Sequence, residues 1–216
     1  MQQNQIPDLN RPDQSRPARI EQLLPLFFVF LVCAFLVVLI VQNREKIIPF
    51  FSQGRINNFD EMIVADAFHS IRLENGQSWK LTYEQSHDTV FSGLVRHTSP
   101  IKLTSFTILT RDILVTTGDF SNPDLVNTNV TNHHFTWSSK NGETPAGTLN
   151  LLHTVPMNEV INQKLNAIRF GDFVIIKGWE VDRIEGWDKN RVLVGYWQDV
   201  GCNTTLVTDV QILKNP

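Results

Sequence analysis

From Leu23 to Val41, nineteen consecutive residues carry no charged or hydrogen-bonding polar side chain, and this run constrains the chain more than any other feature. Sixteen of the nineteen are Leu, Ile, Val or Phe. Each contributes roughly −0.3 to −0.6 kcal/mol to membrane insertion, on the order of −5 to −10 kcal/mol together, which Pro25 near one end does not cancel. At 1.5 Å per residue the run is about 28 Å long as a helix, close to the ~30 Å hydrocarbon core of a bilayer. The sequence therefore predicts one transmembrane helix over residues 21–43. Residues 1–20 form a disordered tail, 44–58 a juxtamembrane linker and 59–216 an extracytoplasmic domain.

Two rival readings fit less well. A cleavable signal has an apolar core of about 7–15 residues and a small-residue cleavage site. Here the run is longer and is followed by Gln42-Asn43-Arg44-Glu45-Lys46. A lipoprotein signal cleaved before Cys33 would need a small residue at position 32, which is Val32. Basic residues collect on cytoplasmic sides. Arg11, Arg16 and Arg19 before the run slightly outweigh Arg44 and Lys46 after it, so the N-terminus is expected inside and the domain outside.

The tail from Met1 to Ile20 is Gln, Asn, Pro, Asp and Arg with few large apolar groups, and it cannot offset the entropy of ordering. From Phe50 onward, 14 basic residues face 18 acidic ones, scattered rather than striped. Such a surface does not release counterions from a phosphate backbone, so nucleic acid is excluded as a partner. Cys33 lies in the apolar run and Cys202 near the far end, so no disulfide within one subunit is expected.

Beyond Trp79 the pattern is that of strands, over Val90–His97, Lys102–Leu109, Asp112–Thr117, His134–Ser138, Asp172–Gly178, Arg191–Trp197 and Thr205–Leu213. One helix stands among them. Asn158 is its N-cap, Val160, Ile161, Leu165 and Ile168 recur at helical spacing, and Gly171 closes it. The fold class is thus mainly β with one capping helix, a small antiparallel barrel or sandwich, OB-like in its placing of the helix before the final strands.

Several segments occur in a telling order: LTRDILV at Leu109–Val115, HFTW at His134–Trp137, LHTVP at Leu152–Pro156, GDFVIIKGWEV at Gly171–Val181, Gly186-Trp187, and DVGC at Asp199–Cys202. In these the chain resembles a group of functionally uncharacterised bacterial membrane-anchored proteins. They have a short N-terminus, one transmembrane helix and a periplasmic β-rich domain. The resemblance spans about Trp79 to Leu213. It implies an inner-membrane location with the domain in the periplasm, and it brings no activity.

The sequence has no phosphate-binding glycine loop, HExxH, paired CxxC or GxSxG. His133 and His134 are adjacent, and neighbours on a strand point to opposite faces, so they are not expected to share a metal. His153 sits in the apolar stretch Leu149–Val155, where an imidazole needs a hydrogen-bond partner. Asp112, Asp119 and Asp199 are the carboxylates on offer. A satisfied structural histidine is the plain reading, and a general base or metal ligand beside a carboxylate is the sharper one. Glu180 and Asp182 would share a strand face, although the surrounding charges suit a solvated hairpin.

Trp179, Trp187 and Trp197 gather in the last third, where such aromatics serve as core or line a ligand face. The candidate binding set is His153, Asp112 and Trp187; no catalytic residue, metal or cofactor is assigned. The expected function is that of a single-pass anchored interaction or assembly module without catalysis, working with the lipid bilayer and an envelope protein partner. The alternative is an extracytoplasmic small-ligand or metal-binding domain, hydrolytic in one version, centred on His153 and a carboxylate.

Overall fold

The computed structural model describes residues 27–35, 37–38, 56–198 and 201–213. The chain divides into two compact units, Met1–Gln53 and Gly54–Pro216. In the first, residues 27–35 and 37–38 are helical, with Phe27, Phe28, Phe30 and Phe35 exposed. Among the described residues no helix is long and apolar enough to cross a membrane. The rest of the apolar run, the tail 1–20 and most of the linker lie outside the described residues.

The second unit is mainly β. Its strands are β1 (Ile63–Ala65), β2 (Ser70–Arg72), β3 (Ser78–Tyr83), β4 (Thr89–Pro100), β5 (Arg111–Thr116), β6 (Val126–Thr131), β7 (His134–Ser139), β8 (Leu149–Pro156), β9 (Phe173–Trp187), β10 (Leu193–Trp197) and β11 (Asn203–Leu213), with helix α1 (Glu159–Ala167) between β8 and β9. Five strands close on themselves in the order β4–β5–β8–β11–β9, because β9 also pairs β4. Only β8 and β11 run parallel; the other pairs in the ring are antiparallel.

Closure depends on β4 changing partners. Its first half, Thr89–Leu94, pairs with β9, and from Leu94 onward it pairs with β5. At the changeover sits Gly93, where a Cβ would lie 2.2 Å from the Thr116 carbonyl oxygen. Gly178 on β9 is as tight, with a Cβ position 2.3 Å from the Leu206 carbonyl oxygen. Only a residue without a side chain lets the neighbouring backbones come this close.

The barrel interior is filled by Phe91, Val95, Ile113, Val115, Leu152, Val174, Ile176, Val207 and Val210, and α1 stoppers it with Ile161 and Leu165, followed by Ile168. Asn158 caps α1 as expected, its Oδ1 accepting the Ile161 N–H at 2.9 Å. Asp60 adds a carboxylate at the same end by accepting the Glu159 N–H at 3.0 Å, where the helix dipole favours negative charge. A second core lies on the outside of the barrel, where Trp79, Leu81 and Ile71 from β2 and β3 pack with Ile101, Ile108, Leu109, Val155, Ile184 and Leu206.

Several strand assignments differ from the sequence reading. Lys102–Leu109 is a looped connection between β4 and β5, closed by turns from Leu103 to Phe106 and from Phe106 to Leu109. Its strand-like content of Thr, Phe and Ile serves a turning loop that drives the consecutive Ile108 and Leu109 into the second core. The segment after Trp79 also holds two strands not expected, β6 and β8; β8 is buried on both faces from Leu151 onward and so shows no alternation.

Candidate functional site

The alternation of β5 and β8 builds the site. Ile113, Val115 and Leu152 point into the barrel, so Asp112 and His153 point out of it. The two are directly opposed across the β5–β8 ladder. Ser99 opposes Asp112 from β4, and Thr204 stands beside His153 on β11. A polar row, Ser99–Asp112–His153–Thr204, thus crosses four strands on the outer face.

Two hairpins fold over this row. The first is β6–β7, whose strands are joined by the two-residue turn Asn132-His133, with φ of +50° and +64°. Left-handed backbone at both central positions is the type I′ geometry that matches strand twist. Asn takes it readily; a histidine there carries a cost, usually avoided by Gly. The turn aims the His133 ring at the row. Arg96, at the irregularity in the β4–β5 ladder, anchors the root of the hairpin by donating to the carbonyls of Phe120 (2.9 Å) and Val126 (3.2 Å). The second hairpin is β9–β10, which brings Trp197 back over the site; its Nε1–H donates to Thr204 Oγ1 at 2.8 Å.

At the centre, one carboxylate serves two imidazoles. Asp112 Oδ1 lies 2.7 Å from His153 Nδ1, and Oδ2 lies 2.9 Å from His133 Nδ1. Asp112 and His153 are 3% and 1% exposed, whereas the His133 side chain is 27% exposed. The three rings meet edge to face: His133 and His153 at 5.9 Å between centroids, with Trp197 at 5.8 and 5.1 Å from them. Cys202 Sγ reaches the His133 carbonyl at 3.7 Å, holding the turn from below. Burial works against a charged Asp112, but the bonds and charges of His153, then of His133, outweigh it and hold the carboxyl below the ordinary aspartate range. Asp112 is therefore an ionised acceptor at neutral pH.

The cluster opens on one side. A cleft of about 270 Å³ is lined by His97, Ser99, Lys102, Asp112, Asn132 and His133, among others. His97 Nε2 is 3.0 Å from Ser99 Oγ, and burial lowers the His97 pKa despite the pull of Asp112. The mouth of the cleft thus presents the Lys102 ammonium, the Asn132 amide and the exposed edge of His133, a set rich in donors.

Of the sequence candidates, Asp112 and His153 come together and Trp187 does not join them. Trp187 ends β9 and lines a separate cleft of about 530 Å³ with Ile71, Ser78 and Lys189. The three tryptophans have separate tasks, since Trp179 stacks on Tyr83 (5.7 Å, 15°) and only Trp197 reaches the histidines. Asp119 accepts the Ala146 N–H instead, and Asp199 lies outside the described residues. Glu180 and Asp182 are both exposed on β9.

His133 was missed by strand logic. It and His134 do not share a site, but the reason is that His133 is in a turn and His134 begins β7 on the exposed side. The available signal was Asn132-His133 as a two-residue spacer between polar strands.

Compared with known proteins, the chain matches no protein-family model and no curated protein, so the site rests on its own geometry.

Proposed function

We propose that the chain is a membrane-tethered, extracytoplasmic binding domain of OB-like form, whose ligand site is the cleft over Asp112, His133 and His153. The carrying observation is the cluster itself. Three segments far apart in sequence converge on one buried carboxylate, with a histidine in a turn position that costs stability. The ring order β4–β5–β8–β11–β9, with α1 before β9, supports the OB-like reading. In such barrels the second and third strands form the usual ligand face, here β5 and β8. The donors at the cleft mouth suit a small ligand bearing a carboxylate or phosphate. A cleft of about 270 Å³ is at the small end of ligand sites and does not suit a polymer.

The tether rests on the nineteen-residue apolar run. Full-length chain is expected to stay in the membrane pellet through an alkaline carbonate wash; release of the intact chain into the supernatant would remove the tether from the proposal.

The cleft is tested by melting the full chain in detergent, with a chelator present, against small carboxylates, inorganic phosphate and phosphate monoesters. A ligand at a hundred times its Kd stabilises by about 2.7 kcal/mol, roughly 5–10 °C for a chain of this size. Lys102→Ala and His133→Asn are each expected to abolish most of that rise. A rise that survives both, or none with any compound, contradicts the cleft reading.

A second reading is an interaction or assembly module of an envelope complex, without catalysis. Among the described residues β10 pairs only with β9, and around it Val192, Leu193, Val194 and Tyr196 are 43–59% exposed. An apolar strand with an open edge suits strand addition by a partner. Under this reading the ligand set gives no rise, and the detergent-extracted chain retains a stoichiometric membrane partner.

A further inference from the structure

We infer that Asp112, His133 and His153 bind one divalent first-row transition ion of the Zn(II) type, with an open coordination position facing the cleft. The inference rests on the cleft reading and names the chemistry at its floor. One donor atom from each residue lies within 4.8 Å of the others. Three donors about 2.0–2.1 Å from a tetrahedral ion sit roughly 3.4 Å apart. The nitrogen–carboxylate separations are 2.7 Å for His153 and 2.9 Å for His133, each to a different oxygen of Asp112, so outward shifts of roughly 0.5–0.7 Å admit an ion. His133, in the exposed turn, can supply its share of that movement, and side-chain rotation of Asp112 and His153 supplies the rest.

The donor set also fits the chemistry. Two imidazoles and a carboxylate suit Zn, Fe and related ions, whereas Mg and Ca favour oxygen donors alone. Three protein ligands leave a fourth position, as in sites that take water or a substrate oxygen rather than purely structural ones. Asp112 and His133 both line the 270 Å³ cleft, which provides access from solvent and directs that position towards it. An anion entering past Lys102 would meet the ion. Trp197, fixed through Thr204, packs edge-on against both rings and limits their reorientation.

The test uses full-length chain in detergent, stripped with a chelator and dialysed. Zn(II) is titrated against a competing chromophore, and Co(II) serves as a spectroscopic substitute. Wild-type chain is expected to take one equivalent of Zn(II) and to give Co(II) the visible d–d bands of a low-symmetry nitrogen and oxygen site. His133→Asn keeps the left-handed turn that Asn tolerates and is expected to weaken Zn(II) at least the ~100-fold that even outer-shell changes can reach. His153→Gln should do the same, while His134→Ala, on the exposed side, leaves the affinity unchanged. Melting of each metal-free variant shows whether it is folded. No stoichiometric Zn(II) in wild-type chain, or equal affinity in wild type and folded His133→Asn, overturns the inference. The ligand screen contains chelator, so the two ideas fail separately: an anion-induced rise without Zn(II) binding keeps the cleft, and Zn(II) binding without any such rise keeps the metal.

Discussion

Asp112→Ala is expected to cost about 2–5 kcal/mol in the metal-free chain, because it leaves two ring N–H donors without their acceptor. At roughly 2–4 °C per kcal/mol for a chain of this length, melting should fall by about 4–20 °C. His153 bears most of the loss, since it is 1% exposed and water cannot replace the carboxylate there. His133, at 27% side-chain exposure, can be rehydrated. Asp112→Asn should cost less than Asp112→Ala, since its amide oxygen still accepts from one ring. Thermal or urea unfolding in the presence of chelator reads both. Equal loss for the two variants, or none, would mean that the carboxylate is a bystander on the sheet.

Trp79→Ala is expected to be comparably damaging, about 3–5 kcal/mol, through loss of a large buried side chain and the cavity that remains. Trp79 is 1% exposed in the outer core, and its Nε1–H donates to the Ser105 carbonyl at 2.9 Å. That bond ties β3 to the 101–110 connection, whose start supplies Lys102 and Leu103 to the cleft. The effect should therefore reach the site. Hydrogen exchange at the amides of Ile101 and Leu109, which bond to Thr110 and Phe106, is expected to accelerate more than exchange in β9 and β11. Trp79→Phe keeps most of the packing and loses only the hydrogen bond, about 1–2 kcal/mol when an acceptor is left unpaired. If Trp79→Ala melts like wild type, the outer core does not hold that wall.

The sequence revealed the parts of this unit that are governed by local rules. The α1 cap at Asn158, the alternation of β11 and the short strand β5 all follow from residue type and period. Asp112 and His153 stood out because a polar side chain in an apolar strand needs a partner. Their direct opposition did not stand out, since cross-strand register depends on how the barrel closes at Gly93 and Gly178.

The third member was hidden for a different reason. His133 reaches the site only because the Asn132-His133 turn takes left-handed backbone, and residue identity favours that conformation for Asn but not for His. Trp187 and Trp197 changed places for a geometric reason. β9 runs on as one long strand to Trp187, and the chain must turn back through β10 before an indole faces the histidines. The Lys102–Leu109 segment misled because its Thr, Phe and Ile content is that of a strand, while the chain turns twice and buries Ile108 and Leu109 side by side in sequence.

That a turn histidine and two sheet residues act as one unit is open to a direct energetic measurement, a double-mutant cycle between His133→Ala and Asp112→Ala, unfolded in urea with chelator present. Groups in one hydrogen-bonded network couple by about 0.5–3 kcal/mol, whereas independent sites add to within ~0.5 kcal/mol. A coupling above 0.5 kcal/mol is expected here, on that same scale. Strict additivity would contradict the cluster and, with it, both the ligand site and the metal centre built upon it.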